Sequence, residues 1–152
     1  MPMLDATPCA SARGIVALAL AVLLLVLAAL HVHWALGGRW GASVAVHEVG
    51  GAPAFRPGPA ATLVVALLLT AAAAIVAMRA SGIPREGVVA SLARAGAWAL
   101  SAVLALRAVG NFHTFGFFKA VQGTAFARYD TVLFSPLCVG IAIGCLVVAR
   151  GP

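Results

Sequence analysis

The sequence predicts an all-α polytopic membrane protein, an up-down four-helix transmembrane bundle. Three observations predict it. Residues of the AVILMFWYC set make up 63% of the 152 residues and charged residues only 9%, against the roughly 25% charged that coats a soluble domain. Mean hydropathy is +1.08. The apolar residues also gather into four runs, each long enough for a helix to cross about 30 Å of hydrocarbon. A chain with so little polar surface takes lipid as its solvent, and residues 1–152 read as a single four-span membrane domain.

The first span covers about 14–37, since no charged residue stands between Arg13 and Arg39. Its apolar length exceeds that of a cleaved signal peptide, so it is expected to remain as a membrane helix. The second, about 58–79, is opened by Pro57 and Pro59 and closed by Arg79; proline suits a first helical turn, where its missing N–H has no partner to lose. The short link "RASGIPREG" carries Gly82, Pro84 and Gly87 as breakers and makes the second and third spans antiparallel neighbours.

The third span, about 88–109, contains Arg94 and Arg107. Each lies near enough to an interface to snorkel, and Arg107 has the alternative of facing the bundle and pairing with a polar group. The fourth is expected over 130–149, starting near Asp130 and kinked near Pro136. Close helix packing in lipid relies on small residues. Ala93, Ala97, Ser101 and Ala105 supply such a ridge on the third span, and Gly140 with Gly144 on the fourth, so Ala97, Ser101 and Gly140 are expected to face other helices.

Ten Lys and Arg against four Asp and Glu give a formal charge of +6. The basic residues punctuate the apolar runs singly and form no stripe, and no G-x-x-x-x-G-K-[ST] or G-x-G-x-x-G cradle is present. They read as interface anchors, with the lipid bilayer and not nucleic acid as partner. The three cysteines suggest no disulfide framework. Cys138 and Cys145 would lie about 10 Å apart along one helix, too far to bridge.

Four spans place both termini and the link around Ile83 on one side and two longer loops on the other. Most of the chemistry falls on the long-loop side: His31, His33, Trp34, Trp40, His47, Glu48, Asn111, His113, Lys119, Tyr129 and Asp130. The segment 110–130 holds five of the seven phenylalanines. Two readings of it stand open. One is an interfacial segment with its aromatics inward and Lys119 and Arg128 outward; the other is a lid over a pocket. His31 and Trp34 share a helix face, whereas His31 and His33 point about 200° apart and cannot chelate one metal. The candidate ligand-binding residues are His31, Trp34, Arg107, Asn111, His113 and Asp130, drawn together into one mouth. An ionised Asp130 facing hydrocarbon is costly, so it is expected to meet Arg107 or His113 beside the largest long-loop-side pocket.

The stretches "HVHWALGGRWG", "FRPGPAATLVVA" and "FARYDTVLFSPLC" together resemble a family of small bacterial integral-membrane proteins, DUF3995, over nearly the whole chain. The resemblance implies a four-helix membrane domain. It carries over no reaction and no catalytic residues. Three functions remain in view: a membrane module binding a lipophilic small molecule or a membrane partner protein at the long-loop side; an enzyme acting on a lipid or isoprenoid through His113 with Asp130 or His31 with Glu48; and a redox protein holding haem between His31 or His33 and His113. No cofactor is assigned. The short Arg-flanked link predicts a multi-pass protein of the cell membrane with cytoplasmic termini.

Overall fold

The computed structural model describes residues 8–49, 52–55, 57–81 and 86–151. Arg56, Gly82, Ile83, Pro84 and Arg85, which fall in the stretches quoted above, lie outside the described residues. The described elements are helix α1 (Pro8–Ala35), a one-turn helix α2 (Ala42–Ala45), strands β1 (Glu48–Val49) and β2 (Ala52–Pro53), and helices α3 (Pro59–Ser81) and α4 (Val88–Val109). They continue with α5 (Ala125–Tyr129), a π-turn over Asp130–Phe134, and α6 (Ser135–Ala149). The fold is all-α, and four helices are long and apolar enough to cross a membrane: Ala12–Ala35, Pro59–Ser81, Val88–Val109 and Ala125–Ala149. The sequence marks no strand in the first long loop, where β1 and β2 make a two-residue antiparallel ladder pairing Glu48 with Pro53.

The fourth span begins earlier than its charges suggest. Thr124 caps α5, its hydroxyl accepting from Ala127 N, so the helix starts at Ala125 and Asp130 lies inside the span, not at its head. The reason is that Asp130 is neutralised within the protein and need not stop the helix. Pro136 does not end the helix either. Having no N–H, it strands one carbonyl of the preceding turn, and the chain widens there into the π-turn in which Ser135 N donates to Asp130 O.

Packing is most extensive between α1 and α3 and between α4 and α6, so each of these pairs is a hairpin closed by one long loop. A core of Ala17, Leu20, Leu24, Ala72, Ala73, Val76, Ile141, Cys145 and Val148 joins α1, α3 and α6. Ala17, Ala72, Ala73 and Cys145 let the helices approach within it, and large residues such as Leu67, Leu68, Val103 and Leu106 are exposed for lipid. This is the arrangement expected where lipid tails are as apolar as leucine and association depends on close approach.

Ala93, Ala97 and Ser101 are buried as expected, and Ser101 Oγ donates to Ala142 O across the helix contact at 2.8 Å. Ala105 and Gly140 are exposed instead. Among the described residues nothing stands within 4 Å of where a Gly140 side chain would begin, whereas one on Gly144 would press on Leu20. The buried stripe of α6 runs through Ile141, Cys145 and Val148, and Gly144 lies on it while Gly140 does not.

Candidate functional site

The backbone explains the polar, glycine-rich ending of α1. Gly37 N donates to Trp34 O at 3.0 Å and Gly38 N to His33 O at 2.9 Å, with Gly37 at φ +92°. These are the paired bonds that close a helix when the next residue turns left-handed. Glycine at 37 serves the sign of φ. At 38 it serves space, because the His33 ring lies where a side chain would be.

The turn brings Trp40 back toward the helix, where its carbonyl accepts from Trp34 Nε1 at 2.7 Å. Trp34 in turn meets the His31 ring edge-on, with 5.0 Å between ring centres. His31 Nδ1 lies 2.7 Å from Leu27 O. A carbonyl can only accept, so Nδ1 carries the proton, and in the neutral ring Nε2 is the acceptor.

These residues form one wall of a groove of about 930 Å³ between the C-terminal end of α1, α2 and the N-terminal end of α3. His31, Trp34, Arg39, Ser43 and Thr62 give it polar edges; Ala42, Val46, Phe55, Pro57, Ala61 and Val65 give it an apolar length. Thr62 Oγ1 is turned back onto Gly58 O, which makes that part of the wall effectively apolar. The volume lies in the range of small-molecule pockets. The His47 ring, 5.8 Å from Phe55 and 6.1 Å from Phe126, carries the first long loop across to α5.

The second long loop is organised around Asp130. This side chain has no exposed surface. Its Oδ1 accepts from Arg107 Nη2 at 2.8 Å, and its Oδ2 accepts from Gly116 N at 2.7 Å and faces Lys119 Nζ at 3.2 Å. Lys119 Nζ also donates to Gly116 O at 3.0 Å and to Thr131 Oγ1 at 2.6 Å, so each of its three protons has an acceptor. Arg107 sits over the Phe115 ring, its Cζ 4.6 Å from the centre.

The loop can close this tightly because Gly110 and Gly116, at φ +92° and +91°, approach each other where side chains would collide with backbone. Asn111 Oδ1 accepts from the amides of His113, Thr114 and Phe115 and fixes the turn between them. Arg107 Nη1 and Ser135 Oγ are buried with no hydrogen-bond partner among the described residues. Two cations meet one carboxylate, so the cluster carries one net positive charge.

The residues expected to form one mouth therefore fall in two places. His31 and Trp34 line the groove, while Arg107 and Asp130 pair in the ion cluster outside its walls. Asn111 organises the loop, and the exposed His113 takes part through its backbone, its carbonyl accepting from Val121 N.

Lys119 was placed outward by the interfacial reading of 110–130, and its side chain is fully buried. Phe112, Phe117 and Phe118 are exposed, the side on which an interfacial segment would meet the bilayer. Lys119 differs because its ammonium is drawn to the buried Asp130 carboxylate. Arg39 and Thr131 also escaped the sequence reading. Only the place of Arg39, directly after the G-G turn, could have signalled its return toward the helix.

The family model described as "Protein of unknown function (DUF3995)" matches residues 24–145. No curated protein and no solved structure matches the chain. The matched segment runs from the middle of α1 nearly to the end of α6 and includes both groove and ion cluster, and the chain belongs to the DUF3995 family of proteins of unknown function.

Proposed function

We propose that the protein is a membrane module that holds one lipophilic amphiphile in the groove between α1 and α3, on the long-loop side. The groove carries this reading. It is polar at the His31, Arg39 and Ser43 edge and apolar along Phe55, Ala61 and Val65, the pattern that an anionic or hydrogen-bonding head followed by a hydrocarbon chain would meet. His31 offers Nε2 and Arg39 its guanidinium to the head, and Trp34 gives a rigid wall. In this reading Arg107, Asn111, His113 and Asp130 do not touch the ligand. They hold the second loop, which reaches the first through Phe126 and His47.

The fully engaged Asp130 favours binding over acid–base chemistry, since both its oxygens already accept from cations or an amide. The termini then face the cytoplasm of the cell membrane, a placement supported by the short Arg-flanked link.

The test is native mass spectrometry of the full chain released from neutral detergent, with palmitate as a probe and co-purified adducts recorded alongside. Wild type and Leu68→Trp, a lipid-facing change on the same helix, are expected to keep a bound amphiphile, and Val65→Trp, which fills the groove, to lose it. Equal adducts on wild type and Val65→Trp would sink the reading.

A further inference from the structure

The end of the bundle opposite the long loops receives one arginine from each membrane-crossing helix: Arg13 from α1, Arg79 from α3, Arg94 from α4 and Arg150 at the close of α6. They gather around the turn that follows α6. Arg79 Nη2 donates to Gly151 O at 2.7 Å. The Arg13 guanidinium lies against the same Gly151, where a side chain would overlap it. Arg150 stands with Cζ 6.0 Å from the centre of the Trp98 ring, and Trp98, Ser91, Arg94 and Glu86 border a hollow of about 290 Å³. Arg13 and Arg94 both lie close enough to Arg79 for their charges to act on it.

Four guanidiniums therefore occupy one level of the bundle, where Glu86 is the one acidic side chain among the described residues. Arg79 is 5% exposed and stands behind the others, whereas Arg94 and Arg150 are exposed. Arg13, Arg79 and Arg150 stand at the ends of their spans, where a bilayer presents its phosphates, and Arg94, six residues into its own, is within snorkelling reach of them. Guanidinium is permanently charged and pairs with phosphate through two parallel N–H donors. Basic pockets between membrane helices at headgroup depth are suited to anionic lipid heads.

We propose that this arginine ring binds the phosphate headgroup of an anionic phospholipid in the leaflet on the termini side. Arg94 and Arg13 are the contacts for the phosphate, Arg79 adds charge from behind, and the half-exposed Trp98 lies against the first carbons of the chain. Gly151 and Trp98 hold the guanidiniums to the frame, which distinguishes the ring from a diffuse basic surface. The site stands at the opposite end of the molecule from the groove and does not depend on what the groove holds.

The experiment titrates the full chain, in maltoside micelles, with phosphatidylglycerol, phosphatidylcholine and inorganic phosphate, reading retained adducts by native mass spectrometry. Phosphatidylglycerol is expected to bind about tenfold more tightly than phosphatidylcholine, and Arg94→Gln to remove about tenfold of that affinity, as the loss of one charge-assisted pair does. Arg94→Lys should keep part of it. Arg128→Gln, an equal change of charge at an exposed position on the other end, should leave it unchanged. Equal retention of the two lipids, or equal losses in Arg94→Gln and Arg128→Gln, would overturn the proposal. Displacement of phosphatidylglycerol by inorganic phosphate at equal concentration would overturn it too, by assigning the ring to a free anion.

Discussion

The Lys119 ammonium stands 3.2 Å from Asp130 Oδ2, and neither side chain has any exposed surface. Because Arg107 shares the same carboxylate, Asp130 is the one anion between two cations. Removing it leaves the cations facing each other, while removing Lys119 leaves a neutral pair. Asp130→Asn is therefore expected to cost about 3–5 kcal/mol, the usual effect of breaking a buried pair. Lys119→Met should cost about 1–2 kcal/mol in lost hydrogen bonds. Denaturation in detergent orders the two variants, and a larger loss for Lys119→Met would show that the carboxylate is not the centre of the cluster.

The glycines of α6 separate by face. A side chain at Gly144 meets Leu20 and one at Gly140 meets none of the described residues. Gly144→Leu should destabilise the bundle by about 1–3 kcal/mol through overpacking of α1 against α6, and Gly140→Leu should melt with wild type. The pair is best compared in one detergent, since equal melting temperatures would contradict the assigned faces.

Gly37 holds φ +92° at the close of α1. Gly37→Ala should cost about 1–2 kcal/mol, the penalty for a Cβ in left-handed backbone, and Gly37→Asn less, because asparagine tolerates that conformation. The same turn returns the chain to the groove wall at Arg39, so Gly37→Ala should also weaken palmitate retention. Full retention with an unchanged melt would mean that the turn is not required.

Orientation is open to direct chemistry. With the termini inside, a membrane-impermeant maleimide applied to intact cells should leave Cys9 unlabelled and should label it after permeabilisation. Cys138 and Cys145 belong to the fourth span and can be replaced by alanine to clear the background. Ready labelling of Cys9 in sealed cells would reverse the topology.

The four spans were legible because lipid imposes a length and a composition, and both are written in the order of residues. Ala97 and Ser101 were legible for the same reason, since small residues spaced by four mark a close contact. Gly140 was not, because a G-x-x-x-G pair does not say which of its members meets the neighbour. The Arg107–Asp130 pair followed from cost alone, an unpaired carboxylate being unfavourable in a span. Lys119 was missed because its partner is eleven residues away across an irregular loop, and in water such a lysine would point outward. The division of one expected mouth into a groove and an ion cluster depends on how each long loop folds over its own hairpin, which no periodicity encodes.

The hairpin arrangement bears on how the molecule is made. Most helix packing joins neighbours in the chain, α1 with α3 and α4 with α6, so each pair closes a short stretch of sequence and needs little search. All the residues that wall the groove fall between His31 and Val65. During synthesis the first hairpin can thus enter the bilayer and complete that cleft before Val88 has left the ribosome. The charges Arg107, Lys119 and Asp130 arrive afterwards, within a single second hairpin, and can pair as they are inserted together.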